Sequence, residues 1–230
     1  MGVLHPEPNE DIAWRVAWQS AVFRRKVVIG IVALVLLLIA FPFFFQAIEQ
    51  HTGPVLNDWV LSQLPARDMS LPIFLLIWST GVLLLVRVRR DPAMFMTFVY
   101  SYLIVSLSRM VSISLVPLNP PVGLLPLIDP ISNAFYGRTF ITKDLFYSGH
   151  TSTIFLMFLC LRRRWDRLFA LAGSFVVGLL LLIQHVHYTV DVVAAPLLTY
   201  LFFRLAKRIA LSGWNNTAPV KSPESSATTE

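Results

Sequence analysis

His187 is followed four residues later by Asp191, and a second histidine, His150, stands 37 residues before the first. An imidazole attacks phosphorus only through an unprotonated ring nitrogen, and a carboxylate at the other nitrogen fixes the tautomer and offsets the charge that develops. On a helix, a spacing of four places both side chains on one face. His187 and Asp191 therefore suit a nucleophile that passes through a phosphohistidine. Such a nucleophile needs a partner that protonates the departing alkoxide and later takes a proton from the incoming hydroxyl, and His150 is the candidate for that role. The run Ser148-Gly149-His150-Thr151 reads as a helix N-terminus, where free backbone N–H groups favour an anion and glycine permits its close approach. Arg109, Lys143 and Arg138 are the cations available for the remaining phosphate charge. Asp144, His185 and Tyr188 adjoin these motifs as candidates to support them. His185 either lines the site or faces lipid headgroups. No cluster has the spacing of a metal site, and the route calls for neither metal nor cofactor.

Long apolar runs must position these residues. Of the 230 residues, 56% are hydrophobic and 14% charged, which is membrane composition and too little polar surface for a soluble domain. The net charge of +6 comes without a basic stripe interleaved with aromatics, which argues against a nucleic-acid partner. Residues 9–23 place Trp14, Ala17, Trp18, Ala21 and Val22 on one face of a short interfacial helix. Apolar runs at 27–48, 71–86, 92–116, 145–161, 168–184 and 187–204 predict six transmembrane helices. A proline-rich connection separates the third from the fourth. All lysines and arginines except Arg67, Arg109, Arg138 and Lys143 fall on one side of this arrangement. By the positive-inside rule that side, with both termini, is cytoplasmic. The expectation is an all-α polytopic membrane protein: a cytoplasmic segment at 1–25, a six-span catalytic domain at 26–208 and a disordered tail at 209–230. His150, His187, Asp191 and Arg109 then gather at the extracytoplasmic face, where titratable groups at membrane depth mark function.

Two segments, Asp144-Leu145-Phe146-Tyr147-Ser148-Gly149-His150-Thr151 and His185-Val186-His187-Tyr188-Thr189-Val190-Asp191-Val192, resemble the signature motifs of the sphingomyelin synthase-like branch of the lipid phosphate phosphatase (type-2 phosphatidic acid phosphatase) superfamily. Arg109 with Ser112, Leu115 and Pro117 is similar to a third family segment. The resemblance implies a six-span helical fold, a metal-independent double displacement and His150, His187 and Asp191 as a catalytic triad. It also implies transfer of a phospho-headgroup from a glycerophospholipid to ceramide or a related lipid alcohol. The phosphatase branch's Lys-x6-Arg-Pro is missing, and Leu181 stands where that branch has an arginine. A lipid phosphatase using the same residues is the alternative activity, and a small transporter or scaffold is the alternative of another class. Against a transporter, the ionisable residues sit at one face and no inverted repeat is visible. Membrane lipids are the expected partners, and the oligomeric state is not encoded in any recognisable motif.

Overall fold

Apolar length dictates the architecture. A computed structural model describes residues 10–128 and 141–214, and among these every regular element is helical. The helices are α1 (Glu10–Gln19), α2 (Ala21–Ile48), α3 (Trp59–Ser62), α4 (Ser70–Val88), α5 (Pro92–Leu115), α6 (Gly149–Cys160), α7 (Arg164–Ile183) and α8 (Thr189–Leu211). Five of them, α2, α4, α5, α7 and α8, are long and apolar enough to cross a bilayer. Val28, Leu36, Phe43, Leu75, Leu85, Val193 and Leu201 are exposed along them. Such apolar side chains are stable outside a core when the surrounding solvent is lipid. The chain is an all-helical polytopic membrane protein.

Six apolar runs do not become six equal helices. The fourth run was expected over 145–161, but Ser148 caps the helix with its Oγ accepting from the Thr151 N–H, so α6 has only 12 residues. At 1.5 Å per residue that is about 18 Å, well short of a ~30 Å hydrocarbon core. Packing compensates for the missing length: α6 contacts α4, α5, α7 and α8. Thr151, Ser152, Ile154, Leu156, Met157 and Cys160 are buried on it. Close approach to α7 depends on small residues. A Cβ at Gly178 would lie 2.7 Å from Val192 Cγ1 of α8 and 3.7 Å from Thr151 Oγ1. Two prolines, Pro42 and Pro196, sit inside α2 and α8, which continue through them.

One end of the bundle is basic and clasped by polar contacts. Arg87 pairs with Asp166 at 2.6 Å and Arg162 with Asp91 at 2.9 Å. The Lys26 ammonium donates to the carbonyls of Ile209, Ala210 and Ser212, satisfying orphan acceptors at the C-terminus of α8. The expected interfacial helix is α1, and its face is occupied rather than free. Trp14 donates its indole N–H to the Arg89 carbonyl, and Ala17 is buried in a cluster with Phe23, Ala93, Met96 and Trp214. Residues 1–9, Arg138 and the tail from 215 onward lie outside the described residues.

Candidate functional site

The opposite end gathers the residues singled out by their chemistry. α8 starts at Thr189, so His187 lies just before the helix and Asp191 in its first turn. The two do not share a helical face, as spacing alone suggested. A capping interaction brings them together instead. Asp191 Oδ2 accepts the Tyr188 backbone N–H at 3.1 Å, and this turn leaves His187 Nδ1 3.4 Å from the same oxygen. Both side chains are buried, at 2% and 0% exposure, so no water competes for the contact. The pair is at ion-pair distance but not aligned as a hydrogen bond, because His187 Nδ1 and Asp191 Oδ1 have no hydrogen-bond partner. With Nδ1 facing the carboxylate, Nε2 is the ring nitrogen left for chemistry.

α6 is tied directly to this turn. The Ser148 backbone N–H donates to the Asp191 carbonyl at 3.1 Å, which fixes the start of α6 against the start of α8. His150 follows in the first turn of α6, its ring edge-to-face with Phe74 of α4 at 5.9 Å between centroids. The N-terminus of α6, with its outward-pointing N–H groups, is thus a local source of positive potential beside two histidines.

Arg109 completes the group by reaching downward. Its position, 17 residues into α5, is about 26 Å from the basic end, whereas α6 begins about 18 Å from that end. A helical side chain slants toward its own N-terminus, which for α5 is the basic end. Arg109 can therefore close the gap with its own length. The guanidinium pairs with the Asp144 carboxylate and donates from Nε to the Tyr147 carbonyl at 3.3 Å. It lies so close over Gly149 that a Cβ there would be 2.5 Å from Cζ and from Nη1. Glycine at 149 is required by this approach. Tyr147 is itself locked, its hydroxyl bonded to the Ser108 hydroxyl and to the Val105 carbonyl.

Three other candidates have different surroundings. The Lys143 ammonium donates to the carbonyls of Glu49, at 2.9 Å, and of His51, while its backbone N–H donates to Glu49 Oε1 at 2.8 Å. It caps the end of α2, whereas the Arg109 guanidinium, reaching from α5, rests against the start of α6. His185 adopts a positive φ of 56°, with Nδ1 3.0 Å from the Val122 carbonyl and Nε2 3.0 Å from that of Leu64. The Tyr188 hydroxyl donates to the Asn119 carbonyl and accepts the Leu56 N–H. Burial of this phenol raises its pKa, holding it neutral. His185 and Tyr188 fasten the two long loops to the turn that carries His187.

Two supporting residues gave no signal in the sequence. Asp58 caps α3 and also accepts the backbone N–H of Thr189 at 2.6 Å and its hydroxyl at 2.9 Å, anchoring the start of α8. Burial opposes ionisation of Asp58, but hydrogen bonds from Thr189, Leu61 and Val60 outweigh it and hold the carboxyl below its usual range. Gln184, fully buried, donates to Ser70 and Pro126 at 3.0 Å and accepts the Met69 N–H at 3.1 Å. Both act across more than 50 residues, a pairing that no local pattern encodes. Among the described residues, no three His, Cys, Asp or Glu side chains converge as metal ligands would.

No curated protein and no solved structure matches the chain. Residues 143–208 do match a family model, and they include Asp144, Ser148, Gly149, His150, His187 and Asp191 but not Arg109. The family described is the PAP2 superfamily C-terminal domain, and it is this segment that is similar to it.

Proposed function

We infer that this chain is a lipid phosphotransferase of the sphingomyelin synthase-like type, moving a phospho-headgroup from a glycerophospholipid to a lipid alcohol. The observation that carries the reading is the buried contact of His187 Nδ1 with Asp191 at 3.4 Å, which leaves Nε2 as the nucleophile. In the first step Nε2 attacks phosphorus, the bond to the glycerol oxygen breaks, and His150 supplies the proton that the departing alkoxide needs. Asp191 offsets the positive charge on the phosphorylated ring. Arg109 and the N–H groups at the start of α6 hold the non-bridging oxygens as negative charge shifts onto them. In the second step His150 takes the proton of the acceptor hydroxyl, whose oxygen attacks phosphorus and releases His187.

A lipid phosphatase would use the same first step, with water as the second acceptor, and the superfamily match favours either outcome. Incubation with a labelled phospholipid, with and without ceramide or diacylglycerol, separates them by product: a new phospholipid for transfer, a free phosphate ester for hydrolysis.

Trapping the covalent intermediate tests the residue roles. His187→Ala is expected to abolish labelled phosphoenzyme as well as turnover. His150→Ala is expected to slow transfer from a natural lipid roughly 10²- to 10⁴-fold while still accepting label from a donor whose leaving group needs no proton. Asp191→Asn is expected to reduce the rate of labelling, since the amide cannot offset the imidazolium charge. Normal labelling of His187→Ala would show that the nucleophile lies elsewhere.

A further inference from the structure

The turn that carries His187, residues 183–188, lies between two loops and is tied to both. On one side the Arg67 N–H donates to the Ile183 carbonyl and the Met69 N–H to Gln184 Oε1, each at 3.1 Å. On the other, the Leu125 N–H donates to the Gln184 carbonyl at 3.2 Å, and the Gln184 amide to the Pro126 carbonyl at 3.0 Å. His185 spans both loops with one ring, Nδ1 at the Val122 carbonyl and Nε2 at the Leu64 carbonyl, each at 3.0 Å. A carbonyl oxygen only accepts, so both contacts are hydrogen bonds only when each ring nitrogen carries a proton. The neutral ring, in either tautomer, donates to one loop and turns a lone pair on the carbonyl of the other.

The surroundings are shaped to this ring. It is 8% exposed, so water is poorly placed to replace a lost bond. Gly123, at a φ of 82°, brings its loop close enough that a Cβ there would stand 3.3 Å from His185 Nδ1. His185 itself holds a φ of 56°, a conformation that costs free energy in a residue other than glycine and persists where its neighbours enforce it. The titratable side chains on the segments packed around it are few. Arg67 and Asp68 stand on the loop before α4, with Asp68 bonded to Ser70 and Gln184, and the loop at 117–126 carries none. From its own turn come His187, which faces Asp191, and Tyr188, bonded to Asn119 and Leu56, while Asp58 reaches Thr189 from the cap of α3. Of the side chains that tie the turn to the loops, His185 is the one whose kind titrates between pH 5 and 8.

We propose that His185 is a protonation-dependent positioning residue: as the imidazolium it holds both loops against the turn that aims His187, and as the neutral ring it releases one of them. The role rests on the reading of His187 as the nucleophile. The tie is complete at low pH and opens as pH rises through the titration of the ring, and the rate of phosphoryl transfer falls with it.

The test follows the ring, the loops and turnover together in the full chain in detergent, from about pH 5.5 to 8.5. With ¹⁵N-labelled histidine, two-bond ¹H–¹⁵N spectra report which ring nitrogens carry protons, and the His185 signals are those lost in His185→Asn. Asparagine tolerates the positive φ, and its amide serves one loop only. His185→Gly, for which that φ is free, provides the same assignment if the first variant does not fold. Amide exchange of 64–69 and 119–126, corrected for its intrinsic pH dependence, reports the loops. As pH rises, the ring should lose one proton and one loop should lose protection, with a common midpoint, whereas the variant should be open throughout. The ratio of wild-type to variant turnover should fall from roughly tenfold toward one across the same midpoint, since a small misplacement of His187 is enough to slow transfer by that much. His150 and His187 titrate in both proteins and cancel in the ratio. A ring that keeps one charge state throughout, exchange that does not follow the ring, or a ratio independent of pH would overturn the proposal. The spectra and the exchange need no turnover, so a tie that opens with the ring on a protein that transfers no phosphate would count against the reaction and leave the tie standing.

Discussion

Gly149 shows how much of the site depends on an absent side chain. Its Cα–H face is the surface on which the Arg109 guanidinium rests. Gly149→Ala should leave the fold intact, because what a methyl group meets there is the far end of a flexible side chain rather than backbone. Arg109 should be displaced by an ångström or more. A misplacement of that size costs on the order of 10²-fold in rate. The check is to measure lipid turnover beside the melting temperature: the first is expected to fall about a hundredfold, the second to stay within a few degrees. A large drop in melting temperature would mean that glycine is needed for folding rather than for the position of Arg109. The sequence made Gly149 legible only as part of a motif. It could not show that Arg109, 40 residues earlier, was the group requiring it. Lys143 illustrates the same limit: its charge and proximity to the motif suggested phosphate, and the bonds of its ammonium to the Glu49 and His51 carbonyls at the end of α2 left no signal in the sequence.

At the scale of elements, caps decide more than spans. The hydrophobic runs locate the long helices, because length and apolarity are properties of a segment alone. The end of a helix depends on which side chain satisfies its orphan N–H groups, and that choice is partly tertiary. Ser148 shortens α6, and Asp58 holds α8 from a loop 131 residues away. The depressed pKa of Asp58 carries a pH signature. Its folded pKa lies below the unfolded value near 4, so its contribution is complete above about pH 4 and is lost as pH falls through the folded value. Lowering pH from 5 to 3 should therefore reduce the thermal midpoint of the native chain more than that of Asp58→Asn, measured in the same detergent. Equal slopes would place the linkage elsewhere. The seam between α5 and α8 makes the opposite case. Val105 packs with Ala195, and one turn along each antiparallel helix Ser101 and Thr199 are fully buried, their hydroxyls without hydrogen-bond partners. A buried hydroxyl with no partner is a cost, so Thr199→Val should be neutral or stabilising by up to about 1 kcal/mol in a denaturation midpoint. Marked destabilisation would reveal an acceptor for that hydroxyl.

For the whole molecule, the arrangement of charge is the strongest statement in the sequence. The basic end holds Arg24, Arg25, Lys26, Arg87, Arg89, Arg90, Arg162, Arg163, Arg164, Arg167, Arg204, Lys207 and Arg208, and the site lies at the other end. The positive-inside rule then predicts an extracytoplasmic site. Cysteines introduced in the loop at 118–125 should react with an impermeant thiol reagent applied to intact cells, and cysteines at 162–167 only after permeabilisation. The native Cys160 is buried and should stay silent. The reverse pattern would put the chemistry in the cytoplasm. The half-length α6 bears on what happens there. Its first turn is packed among the longer α4, α5, α7 and α8, and Ser148, His187 and Asp191 at that level are buried. For groups buried in protein the effective dielectric is closer to 20 than to the 80 of bulk water, and each charge contact is worth several-fold more. On the transferase reading proposed above, a helix shortened at this end lets its longer neighbours wall off a phosphorylated histidine, which favours an acceptor that the membrane supplies over water.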